Sequence, residues 1–334
     1  MGGRSMTMTF TSSRPRTASE TWPVAFLDRE NRIRYESTTG TVIATALRDR
    51  GYFVFKSVLA SRRDFVNCYL LFDELCNAVS HDRSIADRLY AAVQEWQAEG
   101  DIARYFCGVP AGFKTRNDRD GSSGHRFKDY LQYTLAFAQS NAFRRSGLQS
   151  FPCVAQLYES LAELHFTCSG LFTQAIKSIC NLANQSLYSR LVYDDRLAPV
   201  VIKVLRYRRN PLRWATDPHF DKSALSLIIH SDDEEFSVRL GAQGSGAIRL
   251  SELRSPISYP KSPVDPNDAV LITGLCLREM GLGEFPPSPH LVLPVTDRPF
   301  RHSIVAFYLV PYLRGTDILR TTVNFINDVD GRIT

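Results

Sequence analysis

No uninterrupted apolar run in this 334-residue sequence approaches the ~20 residues needed to span a bilayer, so a membrane partner is not expected. CxxC pairs and metal-finger spacings are also missing. The seven cysteines (68, 76, 107, 153, 168, 180 and 276) form an odd, scattered set, which argues against a disulfide framework. They read as buried thiols of a reducing compartment, the cytoplasm. Charge of one sign is scarce in excess: 40 Lys+Arg against 35 Asp+Glu leaves +5, interspersed along the chain. That gives no electrostatic footprint for nucleic acid and leaves a small molecule as the expected partner. No acid precedes Glu20 and no apolar core segment stands near the N-terminus, so a secretory signal is not expected. Residues 1–20 read as a flexible tail with alternative starts at Met6 and Met8, although their Ser, Thr and Arg content also suits a transit peptide. What the chain does have is ordinary: 44% hydrophobic residues are enough for a substantial core.

The two halves differ in texture. Thr39–Asp49, Ser61–Val79, Ser84–Glu99 and Val154–Asn184 carry apolar residues at helical spacing, the last being the longest. Val24–Leu27 and Gly51–Phe55 read as strands, and Tyr105–Tyr133 as a long irregular segment. From residue 200 onward, short strand-like runs follow one another: Val200–Tyr207, Ser223–His230, Phe236–Leu240, Ala247–Leu250, Ala269–Thr273, Leu291–Val295 and Ser303–Val310. Turn formers separate them and no helix-length insert intervenes, a pattern that predicts a sandwich, barrel or jelly roll. A single domain over 21–334 is expected. It divides into a mainly helical part (21–185), a β core (186–310) and a C-terminal tail (311–334).

One constellation carries chemistry. In the extended segment Asp217-Pro218-His219-Phe220-Asp221-Lys222, His219 and Asp221 are two residues apart and share a face. A third ligand from His230, His290 or His302 would complete a two-histidine, one-carboxylate site with open positions, as in non-haem Fe(II) oxygenases. An isolated HxD is common by chance, so the second segment decides. It runs from Ser288-Pro289-His290-Leu291-Val292-Leu293-Pro294 to Arg301-His302-Ser303-Ile304-Val305-Ala306-Phe307-Tyr308.

Here the sequence resembles the Fe(II)/2-oxoglutarate-dependent dioxygenases, in particular the isopenicillin N synthase-like branch. The shared pattern is HxD, a distal His before a short hydrophobic run, then Arg-x-Ser leading an aromatic strand. His219, Asp221, His290, Arg301 and Ser303 match it. Leu47-Arg48-Asp49-Arg50-Gly51-Tyr52-Phe53, Ser223–Ile229 and Asp268–Gly274 match further elements. The resemblance covers roughly residues 22–310. It implies an α+β fold that is mainly β, a double-stranded β-helix (jelly roll) with an N-terminal α/β cap and a long supporting helix. It further implies Fe(II) on His219, Asp221 and His290, with O2 and 2-oxoglutarate as cosubstrates. Oxidative decarboxylation of the keto acid would be coupled to hydroxylation, desaturation or cyclisation of a small molecule. Arg301 would clamp the far carboxylate of 2-oxoglutarate, with Ser303 and Tyr207 as further donors.

Strand parity separates the histidines. If Arg301 and Ser303 face inward, His302 faces outward, which favours His290 as the ligand. A rival register pairing His302 with Arg314 and Thr316 is disfavoured, because Arg314 lies between Pro311 and Gly315. The Pro-rich stretch Gly281–Pro289 departs from the family pattern. Substrate-facing candidates are Arg206 and Lys222 beside the site strands, and Arg116, Lys128 and Phe113 in the irregular segment. Such cations would suit a carboxylate-bearing amino acid, peptide or secondary metabolite. Asp232–Glu235 reads as a solvated hairpin tip. The alternatives are an isopenicillin N synthase-type oxidase that does not use 2-oxoglutarate, a jelly-roll binding protein with a vestigial site, and a zinc hydrolase on the same ligands.

Overall fold

The computed structural model describes residues 24–26, 41–56, 62–98, 112–114, 128–183, 200–209, 215–229, 238–240 and 268–309. Eleven strands lie in these segments: β1 (Val24–Phe26), β2 (Tyr52–Lys56), β3 (Gly112–Lys114), β4 (Lys128–Tyr133), β5 (Val200–Arg208), β6 (Thr216–His219), β7 (Leu225–Ile229), β8 (Val238–Leu240), β9 (Ala269–Thr273), β10 (His290–Val292) and β11 (Phe300–Tyr308). The helices are α1 (Val42–Arg50), α2 (Arg62–His81), α3 (Ser84–Ala98), α4 (Leu135–Ala138), α5 (Asn141–Arg145), α6 (Pro152–Ala183) and α7 (Leu275–Glu279). The expectations for the first 20 residues, Arg116, His230, Asp232–Glu235, Ala247–Leu250 and Arg314 fall outside the described residues.

Two sheets form. The larger has the order β1-β2-β9-β7-β11-β5-β4-β3 and the smaller β6-β10-β8. All pairings are antiparallel except β1 with β2. This α+β arrangement of antiparallel sheets with helices is consistent with a jelly roll. Non-consecutive neighbours such as β9-β7-β11-β5 mean that the core is closed by contacts distant in sequence.

Period-2 alternation splits the large sheet into two faces. On one, Tyr130, Leu205, Tyr207, Ile228, Val270, Ile272 and Val54 join Val292 and Val295 of the smaller sheet's side in one apolar cluster. On the other, Leu131, Val204, Leu227, Leu271, Ile304 and Ala306 pack with the helices in a larger cluster. Patterning fits the helices to that position. In α6, Val154, Leu157, Leu161, Leu164, Cys168, Leu171, Ala175 and Ile179 recur at helical spacing and are buried. Each such leucine contributes roughly 1.5–3 kcal/mol on burial. Pro152 opens the helix, where a missing N–H costs nothing. Gly51 ends α1 in the left-handed region (φ 80°) and its N–H caps Leu47 O, turning the chain directly into β2.

Two segments differ from the sequence expectation. Residues 105–133 contain β3 and β4, so Lys128–Tyr133 is a sheet strand rather than irregular chain. Its polar start concealed it: Asp129 is buried against two arginines, which allows a charge in a strand interior. The five-residue helix α7 follows β9, a short insertion where only strands were expected. No helix among the described residues is long and apolar enough to cross a membrane.

Candidate metal centre

The smaller sheet brings the two histidines together. His290 on β10 pairs directly with His219 on β6, which puts both side chains on one face. The rings lie 4.2 Å apart, centre to centre. Asp221 follows two residues after His219, in the turn leading to β7. Its Oδ1 is 3.7 Å from His219 Nε2 and its Oδ2 is 3.7 Å from His290 Nε2. One ligand atom from each of the three lies within 4.8 Å of the others. Two imidazoles and one carboxylate clustered this closely fit a divalent transition-metal ion, which His219, Asp221 and His290 would hold.

Protonation suits a metal as well. Burial pushes the His290 imidazole down to about 4, helped by the neighbouring His219, so its Nε2 keeps a lone pair at neutral pH. Its Nδ1 donates to the Ser288 carbonyl at 3.2 Å, which fixes the tautomer with Nε2 toward the site. Burial works to raise the Asp221 carboxyl. The His290 and His219 imidazoles and a Ser226 hydrogen bond outweigh it and hold the group below the ordinary carboxylate range. Asp221 is therefore ionised.

Arg301 and Ser303 sit on β11, opposite Tyr207 and Leu205 of β5. These partners belong to the cluster facing the small sheet, so the arginine and serine share that interior face. Arg301 is buried, its guanidinium lies over the Tyr207 ring (5.1 Å to the centroid) and its Nη2 donates to Leu293 O at 2.7 Å. Leu293 is three residues beyond His290, so the guanidinium is tied to the chain segment that carries a metal donor.

His302 points the other way, as strand parity requires. It stacks on Tyr69 of α2 (4.8 Å) and its Nε2 donates to Asp73 at 3.0 Å. The His302 register is thereby removed from the site. Arg206 pairs with His302 across the strands and shares that outer face, so the expectation that it lines the metal pocket is corrected. Its guanidinium binds Asp129 at 2.8 Å and Asp73 at 3.0 Å and lies over Phe300. A cavity of about 280 Å³ there, lined by Asp73, Cys76, Asn77, Ser80, Arg206, Arg208 and Phe300, is on the helix side of the sheet. Phe113 is corrected likewise: it packs on Phe72 of α2, 6.1 Å between ring centres, because its partner Leu131 faces the helices. Lys128 pairs with Tyr207 and lies on the interior face, half-buried. Lys222, next to Asp221, is half-buried.

One interior cation escaped the sequence reading. Lys203 is four residues before Tyr207 on β5 and so shares its face; its Nζ stands 4.0 Å over the Tyr130 ring. The same parity that placed Arg301 would have found it. The hydroxyls of Thr273 and Ser288 near the triad carried no recognisable signal, because their partners are backbone atoms and residues distant in sequence.

The sequence matches no protein-family model and no curated protein sequence. Solved structures are more informative. The Arabidopsis thaliana dioxygenase for auxin oxidation 1, in complex with 2-oxoglutarate, superposes with a TM-score of 0.52 at 13% identity, covering 87% of this chain and 93% of that one. Neurospora crassa T7H with α-ketoglutarate gives 0.53 at 12% identity, covering 85% and 84%. The rice dioxygenase for auxin oxidation gives 0.51 at 15%, covering 86% and 83%. The chain thus shares the fold of these proteins over most of its length.

Proposed function

We propose that the protein is an Fe(II)- and 2-oxoglutarate-dependent oxygenase acting on a small organic molecule. The observation that supports this best is the meeting of His219, Asp221 and His290 with Arg301 and Ser303 inside one two-sheet fold. When bound, iron, 2-oxoglutarate and O2 would supply the oxidising power for a substrate C–H bond, with succinate and CO2 as co-products. The protein supplies geometry. His219, Asp221 and His290 would hold the ion through two neutral imidazoles and one carboxylate, leaving positions open for the cosubstrates. Arg301 would take the distal carboxylate of 2-oxoglutarate with its paired N–H groups, and the Ser303 hydroxyl and Tyr207 phenol would add donors. Val54, Ile228, Val270 and Ile272 wall the interior with apolar surface that excludes water. With Arg206 and Phe113 turned away, Lys128 and Lys203 are, besides Arg301, interior-facing cations among the described residues that favour a carboxylate-bearing substrate.

The test is an anaerobic titration of Fe(II)-loaded protein with 2-oxoglutarate, read by the weak visible charge-transfer band of a chelated keto acid. The band is expected in wild type and His302→Ala and absent in His290→Ala. In Arg301→Ala it should need about 10–100-fold more 2-oxoglutarate, the loss of one charge-assisted contact. Stoichiometric iron without a band would overturn the 2-oxoglutarate reading and favour the oxidase; absence of iron binding would favour a binding protein.

A further inference from the structure

The three candidate metal donors come from two segments, 219–221 and 288–290, that have no sequence continuity. A single corner of the fold grips both. At the end of β9 the chain turns through Thr273, Gly274 and Leu275 into α7. On one side, Leu275 N–H donates to Asp221 O (2.8 Å), Cys276 N–H to Ser223 O (3.2 Å) and Gly274 N–H to Ala224 O (2.9 Å). On the other side, Ser288 N–H donates to Thr273 O (2.9 Å), and the Ser288 carbonyl in turn accepts from His290 Nδ1.

Side chains tighten both halves. Thr273 Oγ1 is 2.6 Å from Pro286 O and 2.9 Å from Ser288 Oγ. Ser288 Oγ also reaches Gly51 O at the start of β2. Each hydroxyl has one proton, and with Thr273 donating to Pro286 O and Ser288 to Gly51 O, loss of either leaves one of these carbonyls short of a donor. Beside Asp221, Ser223 Oγ lies 2.7 Å from Ser226 Oγ, and Ser226 hydrogen-bonds the carboxylate.

Gly274 has extended backbone (φ −109°, ψ 176°), so conformation does not require glycine. Close approach does. A Cβ there would stand 2.0 Å from Ser223 O and 2.9 Å from Asp221 O. A side chain would have to push the metal-bearing turn back by about 1 Å.

We propose that the Thr273–Gly274 corner, together with Ser288, is a positioning bracket that presets the Asp221 and His290 segments for one metal ion. These residues touch neither metal nor substrate; they act through the ligands. The inference rests on the reading of His219, Asp221 and His290 as metal ligands.

The experiment is a titration of the full-length metal-free protein with Co(II), read by its visible absorption, with thermal unfolding of each metal-free variant alongside. Wild type is measured first; failure to bind one Co(II) per chain would sink the ligand reading itself. Given binding, Thr273→Val, which keeps the shape and loses the hydroxyl, is expected to weaken Co(II) affinity about 10-fold or more, as loss of an outer-shell partner commonly does. Thr273→Ser should restore it, and Ser288→Ala should weaken it similarly. Gly274→Ala should weaken it most. Because that variant is the one most prone to misfold, the bracket stands or falls on Thr273→Val and Ser288→Ala. If both bind Co(II) with wild-type affinity and an unchanged spectrum, the bracket is refuted. The same holds if their affinity falls but Thr273→Ser fails to recover it.

Discussion

His165 is buried in the middle of α6, and its Nδ1 has no hydrogen-bond partner among the described residues. Burial alone pushes the imidazole down to about 4. In the unfolded chain the same ring titrates near 6.5, so between these values the unfolded state holds a proton that the native state refuses. Stability from this group is therefore complete above about pH 6.5 and is lost as pH falls toward 4. The difference of about 2.5 units corresponds to roughly 3 kcal/mol. His165→Leu removes both the titration and the orphaned nitrogen. Urea unfolding at pH 7.5 and pH 4.5 should show wild type losing on the order of 2–3 kcal/mol more than the variant. Equal losses would mean that the ring is solvated in the native state. At this scale the sequence is legible where parity is applied, and misleading where it is not. Parity separates His302 from Arg301, and the structure puts them on opposite faces. Arg206 adjoins Tyr207, so the two cannot both face the interior, and expecting both there ignores the alternation of the strand.

Strands β4, β5 and β11 are stitched together on their outer face by charge. Asp129, Arg206 and His302 occupy one cross-strand row. Asp129 Oδ2 accepts from Arg206 Nε and Nη2 and from Arg208 Nη2, all within 3.0 Å. Asp73 of α2 joins the row through Arg206 and His302, and these two partners overcome its burial and hold its carboxyl below the usual range. An arginine cannot shed its proton to escape. Asp129→Asn therefore leaves the Arg206 and Arg208 guanidiniums with Asp73, bound to Arg206, as the carboxylate that remains in the row, and a loss of about 2–3 kcal/mol is expected in urea denaturation, short of that for a fully uncompensated buried charge. A double variant, Asp129→Asn with Arg206→Met, should recover part of that loss, a coupling that independent sites would not show. This network is also why the residue pattern alone did not mark β4, although the family resemblance places a Lys/Asp-rich strand near Phe127–Tyr130. Lys128-Asp129 looks like loop until its partners, more than seventy residues away, are known. The apolar strands β5, β7 and β9 needed no such partner to be recognised, since their runs of Val, Ile and Leu state burial outright.

The molecule as a whole joins a large sheet to a small one, and the candidate metal donors lie at the junction. His219 and His290 belong to the three-stranded sheet, while Asp221 leads into β7 of the eight-stranded one. The two-sheet α+β character was legible from short strands between turns. The strand order was not, because β9-β7-β11-β5 is set by pairings that no local pattern encodes. An ion bound by all three donors ties the sheets together only in the native state, so binding must raise stability by mass action. Free metal at 100 times its dissociation constant should add about 2.7 kcal/mol, and at 1,000 times about 4.1 kcal/mol. Thermal unfolding should thus shift upward by a few degrees with Co(II) or Fe(II), return with a chelator, and shift further when 2-oxoglutarate is added. His290→Ala should abolish the metal response while leaving the metal-free protein folded. Hydrogen exchange locates the effect: amides of β6 and β10 should slow on metal binding far more than those of α6, whose packing does not involve the site. An equal shift in His290→Ala would place the ion elsewhere. Uniform slowing across α6 would mean that metal acts on global stability rather than on the junction between the sheets.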